Sequence, residues 1–167
     1  MGSTSTLMSV DEYLKYSSKP NAEYIDGVLR PKSMPTKPHS LIQGRIMNML
    51  CDQGVESLVE MTLRVSPTKF LIPDVIADPE IEDPYPTEPV MLCVEILSPE
   101  DRLGATFTKC EEYHAWGVPH CWVIDPVKQT GWEYDAECDP VRVEIGGTLH
   151  AGNLAVRLVD LFTPQPL

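Results

Sequence analysis

Several things are scarce in this chain of 167 residues. No stretch approaches the roughly 20 consecutive apolar residues of a membrane-spanning helix. The N-terminus lacks the charged-then-apolar pattern of a secretory signal. Its Met1-Gly2 start formally matches a myristoylation signal, but the small polar residues that follow read as a flexible tail before Leu7. The five cysteines (Cys51, Cys93, Cys110, Cys121, Cys138) are odd in number and never form C-x-x-C. They read as reduced thiols of a cytoplasmic protein, mostly core filler. The four histidines show no zinc-ligand spacing with them, which argues against a structural zinc site. Basic residues are also few: 13 Lys and Arg against 25 Asp and Glu give a net charge of -12. That argues against generic nucleic-acid binding, which needs cations to replace phosphate counterions. No repeat and no interdomain linker is visible, so the chain is expected to form one domain over residues 9–163, between tails at 1–8 and 164–167.

What is present begins with residues 90–97, apolar at every position except Glu95. Such a run, ending at Ser98-Pro99, predicts a short strand buried on both faces. A carboxylate there must be paired, metal-bound or neutralised, because a bare one in a dry site costs several kcal/mol. Glu95 is therefore either half of a buried ion pair or an acid or metal ligand. Residues 70–77 repeat the pattern with a single acid, Asp74, directly after Pro73. The proline predicts irregular backbone at Asp74.

The other elements follow from periodicity and turn chemistry. Ser9 and Glu12 form a capping box for a short helix ended by Pro20. Asp26-Gly27 between two short apolar segments predicts an N-terminal hairpin, with Glu23 on its first strand. Residues 30–38 carry three prolines and read as a loop. Leu41, Ile42, Ile46, Met49 and Leu50 recur at helical spacing. The N-terminus of that helix suits an anion, and His39 beside it reads as a phosphate contact or as a cap neighbour. Residues 55–65 read as one strand. Ser98 reads as an N-cap with Pro99 at N1, opening a helix that ends at Gly117, though Gly104 suggests a later start. Residues 120–124 predict a third buried strand, 131–134 and 141–145 a hairpin region, and 154–161 a last ordered element.

Charge is unevenly spread. From position 27 to 51 there is no acid, while Arg30, Lys32, Lys37 and Arg45 are present; from 74 to 88 there are six acids and no base. With His39, the four cations make a candidate nucleic-acid contact, or simply a solvated face. Helical spacing lets Lys109 reach from its helix towards the sheet, so Asp74, Glu95 and Lys109 assemble a recognisable chemistry. Two carboxylates suit a hard divalent cation such as Mg²⁺, and an ammonium beside it orients water or meets developing charge. Ser98 lacks a G-x-S-x-G elbow and reads as a cap rather than a nucleophile. Tyr113 and Trp116 read as packing, with base stacking as the alternative. Asp101 belongs to a helix turn or lies near the metal, and the direction of Gln43 is undetermined.

Pro73-Asp74 followed by Glu95-Ile96-Leu97 resembles the PD-(D/E)xK motif of the restriction-endonuclease-like superfamily. Within it, Glu23-Tyr24-Ile25-Asp26-Gly27, His39, Ile72-Pro73-Asp74-Val75, Val94-Glu95-Ile96-Leu97-Ser98-Pro99, Lys109 with Tyr113, Gly117-Val118, residues 122–126 and residues 158–162 resemble the Uma-type restriction endonuclease family, over nearly the whole chain. The resemblance implies an α/β (α+β mixed) fold, a restriction-endonuclease-like mixed sheet flanked by helices, here with extra N- and C-terminal β-hairpins. It further implies metal-dependent phosphodiester hydrolysis with Mg²⁺ or Mn²⁺, nucleic acid (DNA) as substrate, and a site of Asp74, Glu95, Lys109 and Glu23, with Asp74 and Glu95 on the metal. One departure stands out: the superfamily lysine follows the glutamate by two residues, where this chain has Leu97, so the resemblance assigns its role to Lys109. A homodimer is expected, since nucleases that cut duplexes often need two sites. A catalytically inactive nuclease-like binding or regulatory module is the alternative, as is a hydrolase of small phosphoesters.

Overall fold

The computed structural model describes residues 7–17 and 21–164. The myristoylation-like start and Pro20 lie outside them. In chain order the elements are α1 (Val10–Leu14), β1 (Ala22–Ile25), β2 (Val28–Pro31), α2 (Lys37–Cys51), β3 (Glu56–Val59), β4 (Leu63–Ser66), β5 (Lys69–Leu71), β6 (Val75–Asp78), β7 (Leu92–Ile96), α3 (Leu103–Trp116), β8 (His120–Asp125), β9 (Thr130–Asp135), β10 (Val141–Val143), β11 (Thr148–Ala151), β12 (Leu154–Arg157) and a 3₁₀ turn, Leu158–Leu161.

A six-stranded mixed sheet in the order β10-β9-β8-β7-β6-β3 forms the centre. Its one parallel pair, β7 with β8, is joined by α3 as a crossover, while the other pairs are antiparallel. Strand alternation decides which helix each side chain meets. Leu92, Val94 and Ile96 of β7, with Trp122 and Ile124 of β8, face Ile42, Ile46 and Leu50 of α2 and the β11–β12 hairpin. Cys93 and the next-but-one position, Glu95, face the other way with Cys121 and Val123, towards Cys110 and Tyr113 of α3. Glu95 is therefore aimed at α3 by the pleat alone.

A second, four-stranded antiparallel sheet, β2-β1-β5-β4, carries the N-terminal hairpin. Its turn is the expected Asp26-Gly27, with φ of 48° and 93°. Tyr13 of α1 packs on Tyr24 and Phe70 of this sheet (ring centroids 4.9 and 5.1 Å apart), and the Ser9–Glu12 capping box is formed.

Several boundaries differ from the sequence reading. Residues 55–65 are two strands in different sheets, because Glu60 adopts φ 54° and the chain crosses over there. Likewise the run 70–77 splits at Ile72-Pro73-Asp74 into β5 and β6, since proline has no N–H for a ladder. The loop read at 30–38 is shorter at both ends: β2 runs to Pro31, and α2 begins at Lys37 with Thr36 as its cap. Ser98 does not cap α3. Residues 98–101 form a turn, with the Ser98 amide on Asp101 Oδ2 (2.8 Å) and the Asp101 amide on the Ser98 carbonyl (2.9 Å), and the helix starts at Leu103. The last element resolves into β12 and the 3₁₀ turn, and β11, unread in the sequence, pairs with β12.

Candidate active site

Continuing the β6–β7 register, in which Val75 lies opposite Val94, sets Asp74 opposite Glu95. The two carboxylates so placed are 3% and 7% exposed. Both line a cleft of about 740 Å³ between the two sheets' shared end and the start of α3.

Each acid is held by a lysine from a different element. Lys109 projects from α3 and its Nζ lies 3.0 Å from Glu95 Oε1 and 2.7 Å from Glu23 Oε1. Tyr113, one helical turn further on, donates its hydroxyl to the same Glu95 oxygen (2.5 Å). Glu23 is 2% exposed and is anchored independently, accepting from the Ile72 amide (2.8 Å) and from Arg30 Nε (2.9 Å). Lys32 leaves the end of β2 and sets its Nζ 2.9 Å from Asp74 Oδ1 and 3.0 Å from Glu60 Oε2. Asp74 Oδ2 receives the Ile96 amide (2.7 Å) and sits 3.3 Å from His39 Nε2 on the first turn of α2. Gln43, one turn after His39, donates to Glu60 Oε1 (2.9 Å) and to the Asp74 carbonyl (2.8 Å).

These surroundings separate the two acids electrically. Burial alone would raise the Asp74 carboxyl, but the His39 hydrogen bond and the Lys32 charge outweigh it and hold the group well below the usual range. Burial likewise opposes ionisation of Glu23, and the Lys109 charge and hydrogen bond reverse it, so Glu23 is lowered. For Glu95 burial prevails: despite Lys109, and with the Asp74 charge adding to it, the carboxyl is pushed up to about 7. Lys109 is desolvated too, yet two carboxylates raise it, so the ammonium is firmly charged. His39 is raised by Asp74 against its burial, and its Nδ1 is buried without a hydrogen-bond partner.

Of the residues singled out in the sequence, the fold thus brings Asp74, Glu95, Lys109 and Glu23 into one cleft, with His39, Lys32 and Arg30. Lys37 is exposed at the start of α2, and Arg45 donates to the Leu161 carbonyl (2.7 Å); neither lines the cleft. Lys32, read as part of a nucleic-acid contact or of a solvated face, is half-buried with its ammonium on Asp74. Leu97, at the position of the superfamily lysine, gives its amide to Ile124 (2.9 Å) and packs on the α3-side core. Glu60 and the directions of Gln43 and Tyr113 were not anticipated. The spacings His39–Gln43 and Lys109–Tyr113 each mark one helix face, so both were discoverable, whereas nothing around Glu60 signalled its inward turn.

Whether a divalent ion suits this donor set is decided by its chemistry. Among the described residues no group of three His, Cys, Asp or Glu side chains is arranged to hold a metal. An all-protein cage is therefore lacking. Two buried carboxylates facing a cleft, each already attracting an ammonium, do suit a hard ion that keeps its waters and completes its shell with a substrate phosphate.

The comparisons with known proteins agree with the fold. The chain is similar to the crystal structure of a putative nuclease belonging to DUF820 from Anabaena variabilis, with a TM-score of 0.77 and 22% identity over 93% of this chain and 97% of that one. No match was found among curated proteins. The model of the Uma2 family, described as "Putative restriction endonuclease", matches residues 10–157. The chain belongs to the Uma2 family.

Proposed function

We propose that the protein is a metal-dependent endonuclease that hydrolyses phosphodiester bonds in nucleic acid, with DNA as its substrate. The observation that carries this reading is the delivery of Lys109 from α3 onto Glu95, opposite Asp74, which supplies the ammonium that Leu97 leaves out. Asp74 and Glu95 would hold Mg²⁺ or Mn²⁺, which polarises a phosphoryl oxygen and lowers the pKa of an attacking water. Lys109, fixed between Glu23 and Glu95, meets the charge that develops on the phosphoryl group. Glu23 holds that ammonium in position, and Arg30 and the Ile72 amide hold Glu23. Tyr113 fixes the rotamer of Glu95. Arg102, exposed on the cleft wall, is placed for a backbone phosphate, with the half-buried, acid-paired Arg30 also lining the cleft.

The test is cleavage of plasmid and single-stranded DNA by the purified chain with Mg²⁺ or Mn²⁺. Asp74→Asn and Lys109→Met are expected to abolish it, and cutting that survives Asp74→Asn removes the assignment. The pairing of both cleft lysines with acids favours a second reading, a nuclease-like binding module, which predicts binding without cleavage in any divalent ion. A homodimer belongs to the same proposal, and gel filtration decides it. Among the described residues no helix is long and apolar enough to cross a membrane.

A further inference from the structure

Four carboxylates and two ammonium groups share the cleft in a repeated pattern: Glu23–Lys109–Glu95 on one side and Glu60–Lys32–Asp74 on the other. The two bridges are not held alike. Lys109 grows from the interior of α3 and also reaches the Ile72 carbonyl (3.5 Å). Lys32 opens the connection between β2 and α2, in which Met34, Pro35 and Thr36 are exposed. Its amide donates to the Asn21 carbonyl (2.8 Å), just past the end of the β1–β2 ladder.

The oxygens of Asp74 are also unequal. Oδ2 receives the Ile96 amide and lies against His39, both carried on regular elements that cannot withdraw without breaking the fold. Among the described residues, Oδ1 has Lys32 as its partner. Glu60 does not depend on Lys32 for its position, because Gln43 fixes its Oε1 and its own amide reaches the Asp74 carbonyl (3.2 Å). Its Oε2 therefore remains a seat for the ammonium after Asp74 is given up.

We infer that Lys32 is a resident stand-in cation, displaced from Asp74 Oδ1 when a divalent ion binds and moved onto Glu60 and the cleft mouth, where it faces the phosphate backbone. The inference rests on the divalent-ion reading of Asp74 and Glu95 given above. Its physical basis is that two cations on one carboxylate oxygen repel, and that of the groups on Asp74 only Lys32 sits on a long side chain with a second acid within reach. The same residue would then serve twice, once as a counter-ion of Asp74 and once as a substrate contact.

Lysine reactivity reads this directly. The native chain is treated with formaldehyde and dimethylamine borane in EDTA and in saturating Mg²⁺, and methylation at each lysine is followed by peptide mass spectrometry, with melting temperature measured in the same two buffers. In EDTA, Lys32 should be modified far more slowly than the exposed Lys15 and Lys128. Mg²⁺ should speed Lys32 several-fold and leave Lys109 slow, and in Asp74→Asn the Mg²⁺ effect on Lys32 should vanish. If Mg²⁺ raises the melting temperature while Lys32 stays slow, the ion binds without displacing it: the stand-in role falls and the metal site stands. If Mg²⁺ changes neither, the metal site and the role of Lys32 fall together.

Discussion

At the scale of the residue, Glu95 is the group whose charge state is least settled by its neighbours. Burial and Asp74 raise it from an ordinary 4.5 to about 7. A carboxyl raised in the folded state favours folding fully below its unfolded pKa and loses that contribution as pH climbs through the folded value. The window is therefore pH 4.5 to 7, and the shift corresponds to about 3 kcal/mol. Glu95→Gln keeps the neutral form at every pH. The melting temperature of the native chain relative to Glu95→Gln, both in EDTA, is expected to fall between pH 5 and pH 8. A gap that stays constant over that range refutes the raised value. Tyr113→Phe removes a hydrogen bond that favours the charged carboxylate, so in that background the fall should move to higher pH, with an overall loss of about 1–2 kcal/mol. Asp74 and Glu23 have the opposite sign: both are lowered, so their contribution is present above the ordinary carboxylate range and is lost on acidification.

At the scale of the element, α3 has to keep one rotation for Lys109 and Tyr113 to reach Glu95 together. Its C-terminal end is fixed by Gly117, whose φ is 125° and whose amide bonds Tyr113 and His114. A Cβ there would lie 2.8 Å from Pro89 Cγ. Gly117→Ala is expected to lower stability by about 1–3 kcal/mol, from strain and clash together. Gly44 sits in the interior of α2, and a Cβ added to it would meet nothing within 4 Å. It should respond with the opposite sign, Gly44→Ala gaining about 0.5–1 kcal/mol. Urea midpoints of the two variants check both, and equal signs would contradict the backbone account. This is also the scale at which the sequence was most legible. Apolar runs with a lone acid marked β6 and β7, Asp26-Gly27 marked the hairpin, and helical spacing marked α2 and α3. The failures share a cause. Glu60 takes a left-handed conformation without glycine or asparagine to announce it, so one apparent strand concealed two and the inward turn of a further acid. Lys32 looked like a surface cation because its partners, Asp74 and Glu60, are far away in sequence.

At the scale of the whole molecule, the proposed function requires a chain with net charge -12 to meet a polyanion. At the cleft Arg30, Lys32 and Lys109 are already paired with acids, so counterion release from them contributes little to association. Binding of a short fluorescent DNA duplex, followed by anisotropy with EDTA and then with Mg²⁺, should therefore be weak in the first buffer and tighter in the second. Asp74→Asn should lose the gain. Strong binding in EDTA would place the contact surface somewhere other than this cleft.

The internal lysine bridges carry a consequence for supply. Many small metalloproteins cannot fold until their ion arrives, since crowded ligand charges have nothing else to neutralise them. Here the crowding is relieved by the polypeptide itself: Lys32 and Lys109 bring their own positive charge to the acids they touch. On the proposal that the cleft takes a divalent ion, a newly made chain can reach its final shape during ion starvation, survive chelation, and wait intact until the ion returns.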